Sequence, residues 1–298
     1  MPKASSAAHP TIVSLNPCAD AILAEVADPG QILAVSQFSH DPAGSSLGVA
    51  AARRWPATSG SVEELSVLRP DLVIGDDFVP GASASAALAR LGLRVERYHI
   101  ETSLAVSEEQ VRLLARLAGH PERGAALIGR MRAALAAAAP PAGTASIPAV
   151  VWQSGGIVPG EGTLITDLLG RTGFSNYSAA LGMRQADLLP LERMLAQPPR
   201  VILAAGSPTA EADRLLRHPA LGALQGTRRE AFPSTLLWCG GPTVIKAAAR
   251  LKAIREGLTQ DKPLPYRGGV GVGLVADGTA LPRQTTPPAP PLKGRGAI

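Results

Sequence analysis

Aromatic residues make up only 3% of this 298-residue chain, against an apolar fraction of 46%. The core must therefore be filled by aliphatic side chains, and abundant alanine implies closely packed Ala/Leu-rich helices. An apolar share of that size excludes a disordered chain and supplies core for two domains of ordinary size. Cysteine is nearly absent. Cys18 and Cys239 make neither a metal-ligand spacing nor a disulfide framework. They can pair only if the fold brings them together, and the favoured reading is two separate small thiols near strand ends. No segment reaches the roughly 18 uncharged apolar residues of a membrane helix. The stretch Met1 to Pro10 has no apolar run of the kind a secretory signal needs. The expectation is a soluble chain, cytoplasmic unless an export signal has been removed or lies upstream.

Basic charge in the body of the chain is also scarce. The formal charge is +5, but Lys262, Arg267, Arg283, Lys293 and Arg295 against Asp261 and Asp277 place +3 of it after Thr259. The remainder disperses arginine among acids, with no basic stripe for phosphates, so nucleic acid is not an expected partner. There is no G-x-x-x-x-G-K-[ST], G-x-S-x-G or H-E-x-x-H, and the glycines from Gly155 to Gly162 do not fit a dinucleotide fingerprint. The five histidines show no i, i+4 pairing. Binding is favoured over catalysis, with no cofactor expected.

What the chain does contain is a near-repeat. Val62-Glu63-Glu64-Leu65-Ser66-Val67-Leu68-Arg69-Pro70-Asp71-Leu72-Val73-Ile74 is echoed by Leu191-Glu192-Arg193-Met194-Leu195-Ala196-Gln197-Pro198-Pro199-Arg200-Val201-Ile202-Leu203, 129 residues on. Each places a glutamate seven residues before a proline that ends a short helix, and a β-branched run follows as a buried strand. Two related halves are expected, with Glu63 and Glu192 at the starts of equivalent helices. One acid in a first helical turn is ordinary dipole chemistry. Two at matching positions suggest separated negative points for a partner with two basic pockets.

Strands alternate with helices throughout, which predicts an α/β fold of two Rossmann-like lobes with mainly parallel sheets bridged by a long α-helix. Thr11–Leu15, Ile32–Val35, Leu72–Gly75 and Arg94–Tyr98 read as strands of lobe 1 (11–104), with a helix over 82–91. The spine (105–142) holds a helix opened by the capping box Ser107-Glu108-Glu109-Gln110 and one over 122–139, about 27 Å long. Lobe 2 (143–258) has strands at 149–153, 201–205 and 235–239, helices at 163–169 and near 210–216, and a closing helix at 243–258. Residues 1–10 are an extension. The Pro/Gly-rich tail 259–298 has no periodicity and reads as disordered.

Candidate contacts for a ligand lie on loops at carboxyl ends of strands, where open parallel sheets form their crevice. His40 with Asp41 reads either as a ligand or acid/base pair or as a solvated turn closed by Pro42. Trp152 reads either as a cleft indole or as core, and Trp55 and Phe38 share that ambiguity. Trp238 is expected to turn inward, being placed in a strand. Phe78 and Cys18 complete the set.

Thr11-Ile12-Val13-Ser14-Leu15-Asn16-Pro17 before a helix, Glu63 with Arg69-Pro70-Asp71-Leu72-Val73-Ile74, Leu91-Gly92-Leu93-Arg94-Val95 and the long inter-lobe helix come in an order that resembles periplasmic substrate-binding proteins of the cobalamin and ferric-siderophore ABC importers, over roughly residues 10–258. The resemblance implies a monomer in the periplasm that binds a metal chelate between lobes, corrinoid first and ferric siderophore or heme next. It also implies limited closure about the helix, and docking of Glu63 and Glu192 on arginines of an inner-membrane permease. The chain departs from the family at Cys18, where a small hydroxyl residue is usual, at the thiol of Cys239-Gly240-Gly241-Pro242, and in the less aromatic loop Phe38-Ser39-His40-Asp41-Pro42. Two alternatives stand beside it. One is a two-lobed metalloenzyme or cluster-binding protein using Cys18 and Cys239 as cleft ligands. The other is a bare-metal carrier, which would need several His or carboxylate ligands converging on the cleft.

Overall fold

The computed structural model describes residues 9–76, 92–206 and 218–260, and residues through Asp261 form one compact unit. Its first half holds strands β1 (Ile12–Ser14), β2 (Ile32–Ser36), β3 (Ala57–Thr58), β4 (Leu72–Asp76) and β5 (Arg94–Tyr98), paired in parallel in the order β3-β2-β1-β4-β5. The second half holds β6 (Ile147–Gln153), β7 (Ile157–Val158), β8 (Phe174–Asn176), β9 (Asp187–Leu188), β10 (Val201–Ala205) and β11 (Arg228–Ala231). Strands β7 and β9 make a small antiparallel ribbon; the others form a parallel sheet in the order β11-β10-β6-β8. Both sheets are wound alike. With the two-residue edge strand β3 left out, β2-β1-β4-β5 and β8-β6-β10-β11 place the first strand of each half between its second and third, with the fourth outermost. The pairs Ile12↔Leu72 and Ala149↔Val201 align the repeated segments.

Seven helices matter to the site: α1 (Pro17–Val26), α2 (Val62–Leu68), α3 (Leu104–Leu117), α4 (Pro121–Ala138), α5 (Leu164–Arg171), α6 (Leu191–Ala196) and α7 (Pro242–Gln260). Helix α1 starts where Asn16 Oδ1 accepts from the amides of Cys18 and Ala19, with Pro17 at the first helical position. Its inner face buries Ile22, Leu23 and Val26, each contributing about 2 kcal/mol by removal from water. Helix α2 closes at Arg69, whose φ of 47° is left-handed, just before Pro70. Helices α2 and α6 run into β4 and β10, so Glu63 and Glu192 occupy corresponding first turns and both are exposed.

One aliphatic cluster runs from Ile12 and Ile22 through Leu114, Leu127 and Met131 to Val201 and Leu251, so the lobes share a core through the spine. The spine is not a bare strut. Helix α4 packs against α1, α3 and α7.

Two expectations needed correction. The capping box at Ser107 is not a cap: α3 begins at Leu104, and Ser103 Oγ accepts from the Val106 amide. Ser107 lies one turn in and is buried. No strand spans 235–239; Ser234–Leu236 is a 3-10 turn between Pro233 and Gly240-Gly241-Pro242. The outer strand is instead Arg228–Ala231, whose charged sequence suits an edge and hides it from an apolar pattern. The helices expected at 82–91 and near 210–216, and the tail after residue 260, lie outside the described residues.

Candidate functional site

Loops at the carboxyl ends of both sheets meet along one seam. Cys18, just after β1, is joined by a disulfide to Cys239, beyond β11. The expectation of two separate thiols is overturned: 221 residues of separation conceal that both cysteines flank helix starts, α1 and α7, that pack together. A disulfide offers no thiolate, so these cysteines do not supply the metal or cluster ligands of the metalloenzyme alternative. The loop after β2 also crosses. Ser46 Oγ donates to the Thr235 carbonyl at 3.1 Å, and Lys246 Nζ donates to the Ser46 carbonyl at 3.3 Å.

Beneath the disulfide, the turn Gly240-Gly241 is seated on lobe 1. The Gly240 amide donates to Glu101 Oε2, and the Gly241 amide donates to Ser107 Oγ at 2.7 Å. A Cβ on Gly240 would collide with both the Ser107 hydroxyl and the Glu101 carboxylate, so glycine is required for this approach. Burial raises the pKa of Glu101, opposed first by the hydrogen bond from the Gly240 amide. Burial, and then the Glu101 charge, push the Tyr98 hydroxyl well above its ordinary value.

The loop that follows β2 is held from below by Asp20. Its Oδ2 accepts from the Ser36 amide at 2.9 Å and from Ser39 Oγ at 2.6 Å, fixing both ends of the 3-10 turn Gln37–His40. Burial pushes this carboxyl up to about 7, against the lowering effect of hydrogen bonds from Ser14, Ser39 and Ser36. That turn presents Phe38 at 56% exposure, and the loop beyond β11 presents Trp238 at 59%. Trp238 therefore does not turn inward, because its segment is a turn between prolines and not a strand.

The other candidates separate. His40 points Nε2 at the carbonyls of Ala52 and Trp55, at 3.3 and 3.2 Å, and holds the loop together. Asp41 is exposed and closes a turn by accepting from the Ala43 amide. Trp55 is buried, with Nε1 donating to the Pro29 carbonyl. Trp152 is fully buried in the core behind β6, its Nε1 lacking a partner among the described residues. Phe78 lies outside the described residues. Asp20, Glu101 and Ser107 were missed by sequence reasoning. An acid in a first helical turn reads as dipole chemistry, which hid Asp20. The paired glycines before Pro242 were the available signal of close backbone contact.

Residues 12–230 match the family model described as periplasmic binding protein. The chain belongs to that family. Among curated proteins, it is 30% identical over 210 residues to a "Cobalamin-binding protein" of Halobacterium salinarum, covering 68% of this chain and 55% of that protein. The chain thus spans about half the length of the relative it matches. Among solved structures it is similar to the periplasmic heme-binding protein RhuT of Roseiflexus sp. RS-1 (22% identity, TM-score 0.67, covering 84% of this chain and 99% of that one). It is also similar to the periplasmic vitamin B12-binding protein BtuF of Vibrio cholerae (19% identity, TM-score 0.62, covering 84% and 98%). These structures share the two-lobed α/β fold, and the proteins named are binding proteins.

Proposed function

We propose that this periplasmic binding protein is the non-catalytic capture component of an ABC importer. It takes a metal chelate at the seam between its lobes, a corrinoid in preference and a ferric siderophore or heme next. It works as a monomer in the periplasm and docks on an inner-membrane permease through Glu63 and Glu192. The observation that carries the reading is the pair of exposed aromatics, Phe38 and Trp238, offered by carboxyl-end loops of opposite lobes that meet at one seam. Such rings offer large rigid apolar faces to a flat macrocycle. The cobalamin-binding relative favours the corrinoid, and the disulfide suits an oxidising compartment. Shared core and disulfide both favour limited closure.

A thermal-shift screen with cyanocobalamin, heme and a ferric siderophore tests the proposal. A ligand at a hundredfold excess over its Kd adds about 2.7 kcal/mol to the folded state, or roughly 5–10 °C for a domain of this size. No shift with any of the three overturns the reading.

A further inference from the structure

Away from the seam, at the amino ends of β1 and β2, one group of side chains has no part in that function. Among the described residues, His9, Asp28 and His120 are the one group of three whose donor atoms all lie within 4.8 Å of one another. His9 precedes β1, Asp28 ends the α1–β2 turn, and His120 sits at the elbow between α3 and α4.

The group is built, not scattered. His120 is buried and directs Nε2 at two oxygens, Asp28 Oδ2 at 3.1 Å and Gln31 Oε1 at 3.2 Å. Gln31 is locked in that pose because its Nε2 donates to the carbonyls of Pro10 and Ala118, both at 3.0 Å. Arg123 takes the other carboxylate oxygen, donating to Asp28 Oδ1 at 2.7 Å, which leaves Oδ2 aimed at the imidazole. Arg123 also holds the Asp28 carboxyl below its usual range. The His9 ring lies 4.3 Å from that of His120, tilted by 46°, in a space that exists because residue 119 is glycine with φ of +85°. A Cβ at 119 would collide with His9 Nδ1.

For bonds of about 2.1 Å, neighbouring ligand atoms of a tetrahedral to octahedral ion stand roughly 3.0–3.4 Å apart. The observed 3.1 and 3.2 Å edges around His120 Nε2 fall in that range. Two imidazoles, one carboxylate and one amide oxygen suit a borderline dication such as Zn(II) or Ni(II), while Mg(II) and Ca(II) prefer oxygen-only shells. Four protein donors leave no open position, the signature of a structural site. We infer that His9, His120 and Asp28, with Gln31 as fourth donor, form a structural site for a Zn(II)-type dication that staples the chain ahead of β1 to the elbow of the inter-lobe spine.

The test is titration of the untagged full-length protein with ZnSO4 against a chromophoric chelator, with MgSO4 as control. The expected result is one Zn(II) bound per chain and no response to Mg(II). His9→Ala and His120→Ala should each weaken binding roughly 100-fold, at or beyond what a lost second-shell partner costs. Gly119→Ala should weaken it as well, although it removes no ligand. Should His120→Ala fail to fold, His9→Ala still decides, because His9 is only half-buried. Absence of Zn(II) binding to the unmodified protein, or equal binding by it and His9→Ala, overturns the inference.

Discussion

Replacing both Cys18 and Cys239 with alanine tests the role assigned to the bridge between α1 and the loop before α7. In the chain-entropy account a cross-link stabilises by restricting the unfolded chain, and the benefit grows with the logarithm of the loop closed. For the separation of 221 residues seen here, that account gives about 5 kcal/mol. At roughly 2–4 °C per kcal/mol for a domain of this size, the loss is about 10–20 °C in Tm. Urea denaturation followed by far-ultraviolet circular dichroism measures it, with the reduced unmodified protein as the partner experiment. Both samples should lose similar stability, because both lose the same constraint. A loss below about 1 kcal/mol in both would refute the argument. A loss confined to the double variant would reassign the effect to packing at the buried Cys239.

Two further predictions concern charge. Asp20 ionises near 3.8 when unfolded and near 7 when folded, so the folded state holds the extra proton between these values. Its stability contribution is full below about pH 4 and is lost as pH rises to about 7, by roughly 4 kcal/mol at most. Asp20→Asn keeps an acceptor for Ser36 and Ser39 and should flatten that slope in denaturation measured from pH 4 to 8; an unchanged slope would contradict the assignment to Asp20. Reversing charge at both Glu63 and Glu192 to lysine should abolish stimulation of permease ATPase in proteoliposomes and leave ligand affinity unchanged. A fall in ligand affinity would make their role structural.

The α/β architecture was legible because buried parallel strands are unbroken apolar runs and because α1, α4 and α7 carry clean start signals at Pro17, Pro121 and Pro242. The duplication was legible from the repeated Glu-to-Pro spacing, and the matching strand orders of the two sheets carry it into three dimensions. Short edge elements were not. β3 has two residues, and β11 is charged, so neither shows an apolar pattern. The site was only partly legible, because its key contacts join residues that are far apart in sequence: Cys18 with Cys239, Glu101 with Gly240, and Ser107 with Gly241. The local capping rule assigned Ser107 to a helix start, where serine ordinarily serves, and the tertiary partner Gly241 claimed it instead. Trp152 took its core reading and Trp238 departed from its inward one for the same reason. β6 is central and covered on both faces, whereas 234–239 is a turn outside the sheet.

The central claim is capture of a corrinoid at the seam, and calorimetric titration of cyanocobalamin with parallel tryptophan fluorescence tests it most directly. The account predicts one site per chain and quenching that comes chiefly from Trp238, since Trp55 and Trp152 are buried. Trp238→Ala should remove that quenching and weaken binding roughly 30-fold, as loss of an aromatic anchor worth about 2 kcal/mol does. No heat and no quenching would contradict the claim, as would full affinity in a protein lacking both Phe38 and Trp238 side chains.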